Sequence, residues 1–188
     1  MTAIPDLTTP RLILRPIVLA DAEAIQRLFP RIEVVRFLSS RVPWPYPADG
    51  ALRFIRDVVL PGMASGNQWH WSIRPLSSPE QLIGSINLRE SPDENRGFWL
   101  DPAWQRRGLM TEASDAVTDY WFGPLQRPVL RVAKAIDNNA SRRISEVAGM
   151  RIIVTEQRDY VTGRLPSEIW EMTSEEWRAR RAAAPRGI

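Results

Sequence analysis

The chain has 188 residues, 44% of them hydrophobic and 25% charged, with no cysteine and a formal net charge of +3. Those proportions belong to folded proteins, and the length is enough for one domain to bury a substantial core. Without thiols there is no disulfide framework, no thiolate metal site and no cysteine nucleophile, and no metal is expected.

TTPRLILRP (8–16) reads as a strand with Leu12 and Leu14 on one face. Asp21 stands where a cap is needed before the helix AEAIQRLF, whose Ile25, Leu28 and Phe29 form an apolar stripe. The proline-rich, aromatic loop VPWPYPADG (42–50) leads to a second helix, ALRFIRDVVL, which Pro61 and Gly62 should stop. In WHWSIRP, Trp69, Trp71 and Ile73 alternate with His70, Ser72 and Arg74. QLIGSINLRE then places Leu82, Gly84, Ile86, Leu88 and Glu90 on a common face. With GFWL after the turn SPDEN, these segments form an antiparallel meander.

From Leu109, the apolar positions Ala113, Ala116, Val117, Tyr120 and Trp121 follow helical spacing. VLRVAKAI (129–136) reads as a fully buried strand, and DNNASRRISEVAG as a short helix capped by Asn138 or Asn139 and stopped by Gly149. RIIVTE and SEIWEMT read as strands, and Ser174 opens a polar helix. The order β, α, α, β, β, β, α, β, α, β, β predicts one mixed α/β domain over 1–188. Its core spans about 8–173, with a tail over 174–188 that is frayed around Arg178, Arg180 and Arg181.

No apolar run approaches the roughly 20 residues that cross a bilayer. The opening MTAIPDLTTP lacks the basic and apolar regions of a secretory signal, so a cytoplasmic protein without a membrane partner is expected. Of the 25 basic residues only Lys134 is a lysine. The arginines are spread along the chain, not clustered, which argues against nucleic acid as the main partner.

The stretch GFWLDPAWQRRGLMTEA runs from a strand through a turn into a helix. A helix start leaves amides without partners, and the macrodipole adds positive potential there. Gly108 lets a ligand approach the backbone, and Arg106 and Arg107 add charge, so the turn is a candidate phosphate site. It matches neither G-x-x-x-x-G-K-[ST] nor G-x-G-x-x-G. The plainer alternative is a solvated helix start with incidental arginines.

Taken with NNASRRISEVAGM (138–150), this order resembles the GNAT superfamily of acyl-CoA N-acyltransferases. Within it, the chain is similar to the branch of Rim-type ribosomal-protein N-terminal acetyltransferases. The resemblance spans nearly the whole chain and rests on TPRLILRP, IGSINL, GFWLDPAWQRRGLMTEA, N-x-A-S-x-R-x-x-E-x-x-G-M and EIWEMTSEEW. It implies a single GNAT-like α+β domain. The mixed central sheet would have about seven strands, splayed between two parallel ones, here GFWL and VLRVAKAI, and flanked by helices. It also implies acetyl-CoA as cofactor, with CoA as product.

The pantetheine arm would pair like an extra strand with Phe98, Trp99 and Leu100. The family's Q/R-x-x-G-x-G/A signature falls on Gln105, Gly108 and Met110, so the diphosphate would lie on Gln105, Arg106, Arg107, Gly108, Leu109, Met110 and Thr111. Met110 replaces a small residue of that consensus; since the amide does the binding, the change alters packing more than phosphate contact. By the same resemblance Asn138 hydrogen-bonds the pantetheine and Ser141 lies near the thioester sulfur. Many members carry a tyrosine acid where this chain has Ser145. Ser141 therefore becomes the candidate for protonating the departing thiolate, with a second helix cap as its plainer reading.

Amide formation needs a neutral amine, hence a group to take its proton. Alternation points Glu90 inward beside Ile86 and Leu88, which makes it the candidate base; an exposed carboxylate at a strand end is the alternative. His70, the lone histidine, is a second candidate, and Trp44 and Tyr46 are candidates to line an acceptor cleft. The expected activity is direct acetyl transfer in a ternary complex, without an acyl-enzyme, to a protein or peptide N-terminal amine. A polyamine, amino acid or antibiotic is the alternative acceptor. A CoA-binding regulatory module and an arginine-based RNA-associated protein are the rival classes, and either a monomer or a homodimer fits.

Overall fold

Residues 4–183 are described by a computed structural model. Two sheets are present among them. Strands β1 (Leu7–Thr8), β2 (Leu12–Pro16), β3 (Gln68–Pro75), β4 (Gly84–Arg89) and β5 (Arg96–Leu100) pair antiparallel in chain order. Strands β6 (Val129–Ala135), β7 (Arg151–Tyr160) and β8 (Gly163–Thr173) form a second sheet with β8 in the middle. The mixed α/β class is as expected, and the eight strands are close to the seven expected, their hydrogen-bonded ladders divided into groups of five and three.

The five-stranded sheet is covered on both faces. On one, α5 (Leu109–Phe122) lays Leu109, Ala113, Val117 and Trp121 along Leu12, Leu14, Trp69, Trp71, Ile73, Ile86 and Leu88. These helix positions are four apart, and the strand positions alternate, so both periodicities meet in one core. On the other face, α1 (Ala22–Leu28), α2 (Ile32–Val35), α3 (Gly50–Phe54) and α4 (Leu60–Ser65) enclose a second cluster that includes Ile25, Phe29, Val35, Ile55, Val59 and Trp99. Leu82 belongs to this second cluster and Ile83 to the first, because the ladder of β4 begins only at Gly84. Gly84 itself admits no side chain, since a Cβ there would meet the Trp99 carbonyl at 2.4 Å.

Pro61 does not end the second helix. A wide turn at Ile55–Val59 joins α3 to α4, with the Leu60 amide donating to the Ile55 carbonyl five residues back. Pro61 then sits in the first turn of α4, where a missing amide is tolerated, and the helix runs on to Gly66 at φ 73°. Strands β7 and β8 are longer than RIIVTE and SEIWEMT because a tight hairpin pairs Tyr160 with Gly163. The polar stretch EQRD hides the strand character of this flank from a hydrophobicity reading. Strand β6 alternates, with Leu130, Val132 and Lys134 buried and Val129, Arg131 and Ala133 half-buried, so it is not buried on both faces.

The tail is held through Ala183 by α7 (Ser174–Ala183); residues 184–188 of the expected frayed end lie outside the described residues. Trp177 is buried and donates its Nε1 hydrogen to Asp119 at 2.9 Å, and Arg181 pairs with the same carboxylate at 2.6 Å.

His70 lies under the α3–α4 helix, edge-on to Phe54, with Nε2 2.8 Å from the Gln68 side-chain oxygen. Burial, with Arg89 adding to it, pushes its pKa down from 6.5 to about 4. The unfolded imidazole accepts a proton near 6.5, whereas the folded one resists it. Stability is therefore full above that value and is lost as pH falls toward 4, by about 3 kcal/mol. Denaturant unfolding at pH 7 and pH 4 should show this loss to be smaller in His70→Gln; equal losses in both proteins would remove His70 as its source.

Candidate active site

Strands β5 and β6 are the edges of their sheets and lie next to each other. At one end they are joined: the Asn95 amide donates to the Arg131 carbonyl at 2.7 Å, and the Arg131 amide donates to Asn95 Oδ1 at 2.7 Å. Three residues on in each strand, Lys134 Nζ lies 5.2 Å from the centre of the Phe98 ring, so the two strands run parallel. No ladder joins them past Asn95 and Arg131. Their facing backbone groups are the kind of edge that an extended ligand can pair with. Trp99 and Leu100 turn their side chains into opposite cores, leaving their backbone as the part available to a ligand.

At the far end of β5 the chain enters the QRRG turn. Gln105 Nε2 donates to the Leu100 carbonyl at 2.9 Å, tying the turn to the strand end. Arg106 at φ 60° and Gly108 at φ 74° are both left-handed, and Gly108 is the N-cap of α5 with no side chain capping the helix. Glu112, the acidic residue of the first turn, faces away from the amides. Its carboxylate accepts from Thr9 Oγ1 at 2.6 Å, from the Arg11 amide at 2.8 Å and from Arg11 Nε at 2.7 Å. Arg11 Nη1 also donates to the Arg107 carbonyl at 2.9 Å. The first amides of α5 are thus left without a side-chain partner while the backbone around them is braced. Arg107 stacks over Trp104, and Met110 packs against the first core.

Helix α6 (Asn139–Ala148) starts beside the end of β6. Asn138 caps it, its Oδ1 accepting from the Ser141 amide at 3.2 Å, and Gly149 ends it at φ 75°. The Asn138 side-chain nitrogen has no partner among the described residues. Ser141 is not a second cap: its hydroxyl accepts a hydrogen bond from Lys134 Nζ at 2.7 Å. Lys134 is 4% exposed, and burial, reinforced by Arg96, holds its ammonium well below the usual lysine range. Arg96, at the start of β5, is also buried; Nη1 donates to Thr118 at 2.7 Å, while Nε and Nη2 find no partner. Burial lowers its pKa to about 10, with Asp115 opposing, so it stays charged at neutral pH. Ser145 is fully buried with an unpartnered hydroxyl.

Lys134 and Arg96 are site residues that the motifs do not mark. The available signal was a single lysine in an arginine-rich chain, set within an apolar strand.

The inward orientation expected of Glu90 is not found. The alternation ends with β4 at Arg89, and Glu90 is exposed and ion-paired with Arg127. It lines a cleft of about 270 Å³ with Trp121, Arg127 and Arg131, at the end where β5 and β6 are joined. The Asn95–Arg131 contact stands between it and the open part of the two strands. His70 belongs to the α3–α4 side of β3 and reaches neither Lys134 nor Ser141. Tyr46 packs edge-on against Phe29 at 5.0 Å, whereas Trp44 is 43% exposed.

Among the described residues no helix is long and apolar enough to cross a membrane. No curated protein matches the chain in sequence. Solved structures match its fold. A GNAT-family acetyltransferase from Bacillus anthracis has a TM-score of 0.77 at 16% identity, covering 92% of this chain and 100% of its own. Mycobacterium smegmatis RimJ in complex with CoA-disulfide gives 0.76 at 16%, with 97% and 94% covered. The ribosomal-protein-S5-alanine acetyltransferase of Vibrio fischeri gives 0.77 at 14%, with 92% and 98% covered. The family model of the acetyltransferase (GNAT) domain matches residues 11–151, well over half of the sequence, and the chain belongs to the GNAT acetyltransferase family.

Proposed function

We propose that the chain is an acetyl-CoA-dependent N-acetyltransferase acting on a protein or peptide N-terminal amine. The observation that carries the reading is the continuous path from the uncapped start of α5, along the edge of β5, to Ser141 at the start of α6. Amides from Arg106 to Thr111 hold the diphosphate, and the backbone of Phe98, Trp99 and Leu100 pairs with the pantetheine. The free Asn138 nitrogen donates to a pantetheine carbonyl, and Ser141 meets the sulfur. The acceptor amine attacks the thioester carbonyl directly in a ternary complex. The choice of an N-terminal amine is supported by Rim-type fold neighbours, including the ribosomal-protein acetyltransferase of Vibrio fischeri. An α-amine near pKa 8 is partly neutral at physiological pH, so water suffices to carry its proton away. Thiol release from acetyl-CoA across a panel of peptides and small amines tests the reading. Turnover with polyamines or amino acids but not with peptides would overturn the acceptor class.

Three variants follow from this placement. Gly108→Trp puts bulk over the amides at φ 74°, at a cost of roughly 1 kcal/mol in backbone strain. CoA affinity measured by calorimetry should fall by more than about tenfold in the folded protein. Unchanged affinity would move the diphosphate elsewhere.

Asn138→Asp keeps an oxygen to cap α6 but removes the donor. The melting temperature should hold, while CoA binding weakens by about 1–2 kcal/mol. A fall in stability with intact affinity would leave Asn138 as a cap alone.

Glu90→Gln should leave kcat within about threefold of the parent, well short of the 10²-fold or more that loss of a general base brings. A loss of that size would return Glu90 to the reaction.

A further inference from the structure

We propose that Lys134 is a positioning residue for acetyl transfer, delivering hydrogen and positive charge through Ser141 to the sulfur that leaves. This rests on the acetyltransferase reading above and adds to it a group that the cofactor turn and the helix start do not contain. Lys134 is the only lysine among 25 basic side chains, and it is placed where β5 and β6 part. Everywhere else arginine serves as the cation. Arginine cannot give up a proton at working pH, whereas an ammonium can.

The geometry defines what it does. Nζ donates to Ser141 Oγ at 2.7 Å, and the ring of Phe98 bounds the amine at 5.2 Å. The described structure shows no carboxylate within salt-bridge distance of Lys134 or of Arg96, so neither buried group has a paired anion. Burial without a counter-charge favours the neutral form of a lysine, and a negative charge arriving during the working cycle favours its ammonium again. Because Nζ occupies a lone pair of Ser141 Oγ, the single hydroxyl hydrogen is free to point away from the lysine.

The step balances as follows. The neutral acceptor nitrogen forms a bond to the carbonyl carbon, the C–S bond breaks, and its electron pair stays on sulfur. Ser141 gives its hydroxyl proton to the sulfur and takes one from the Lys134 ammonium, leaving a neutral lysine and free CoA thiol. The acetylated nitrogen loses its extra proton to water, and Lys134 regains a proton from water before the next cycle. Burial weakens the hold of the ammonium on its proton, which makes it a better acid for this purpose.

Lys134→Met tests this, since it keeps the length of the side chain, removes the donor and puts an apolar chain in a buried place. Thermal unfolding should show it at least as stable as the parent. With an accepted amine, kcat should fall roughly 10²-fold while KM for acetyl-CoA changes less than about threefold. Lys134→Arg should not restore kcat. The double variant Lys134→Met/Ser141→Ala should be no slower than the slower single one, because both lie on one proton route.

A folded Lys134→Met with parental kcat overturns the proposal, as does full activity in Lys134→Arg, losses that multiply in the double variant, or an acetyl group found on Lys134 by mass spectrometry. Transfer by the parent chain with a full-rate Lys134→Met rejects this inference alone. No transfer by the parent chain rejects the acetyltransferase reading, and this inference with it.

Discussion

Past the Asn95–Arg131 contact, the facing edges of β5 and β6 lie side by side without bonding to each other. Backbone donors and acceptors inside a protein are nearly always paired, so this gap has to be maintained by everything around it. The ladders of the two sheets are complete on their other sides: β4 holds β5, and β8 holds β6. Across the gap, Phe98 and Lys134 occupy the space with side chains that have no backbone hydrogen to trade. Helix α5 spans the outside of the junction, following β5 and leading back to β6, with the Trp121 indole donating to the Val129 carbonyl at 2.8 Å. Closing the gap would require moving a helix seated in the main core. That core is what keeps the edges apart.

The same arrangement concentrates positive charge. The helix start, the left-handed Arg106 and Gly108, the buried Arg96 and the buried Lys134 all lie along or at the ends of β5 and β6. Two carboxylates on the flanking elements are engaged elsewhere: Glu112 with Thr9 and Arg11, Glu168 with Arg142 and the Trp170 indole. Each carboxylate so engaged is one that does not neutralise the groove. For a ligand with a diphosphate at one end and a thiolate developing at the other, both ends meet positive potential in a medium of low dielectric.

Much of this was legible in the sequence. Strand alternation in WHWSIRP, helical spacing after Leu109, and the Asn138 and Gly149 boundaries of α6 each reflect a local rule, and each matches the structure. The readings that failed depended on non-local facts. Pro61 sits in a helix because a wide turn five residues earlier removes the need for its amide, and nothing near Pro61 announces that turn. Glu90 looked inward by extrapolating an alternation that stops one residue short, where Arg127 from a distant loop captures it. The tail looked frayed because its arginines are local, whereas the Asp119 that holds Trp177 and Arg181 lies 58 and 62 residues away. For the candidate site, the cofactor turn was visible as a motif. The Lys134–Ser141 contact was not, because it links a strand and a helix through side chains seven residues apart.

Helix α5 is fixed at both ends by residues remote in sequence. At its start Thr9 and Arg11 grip Glu112, and Arg11 also holds the Arg107 carbonyl. At its end Asp119 is held by Trp177 and Arg181 of α7. Between these anchors, Leu109, Ala113, Val117 and Trp121 are buried. An isolated helix of this length would be marginal in water, and its first turn would fray. Fraying would scatter the amides that a diphosphate needs, and ordering them on binding would consume part of the affinity. By tying the first turn to the chain between β1 and β2 and the last to α7, the fold orders those amides during folding instead. The same rigid helix carries Thr118, which holds Arg96 beside the splayed strands. The two ends of the groove are therefore set by one element, and a shift of α5 would disturb anion binding and the buried cations together.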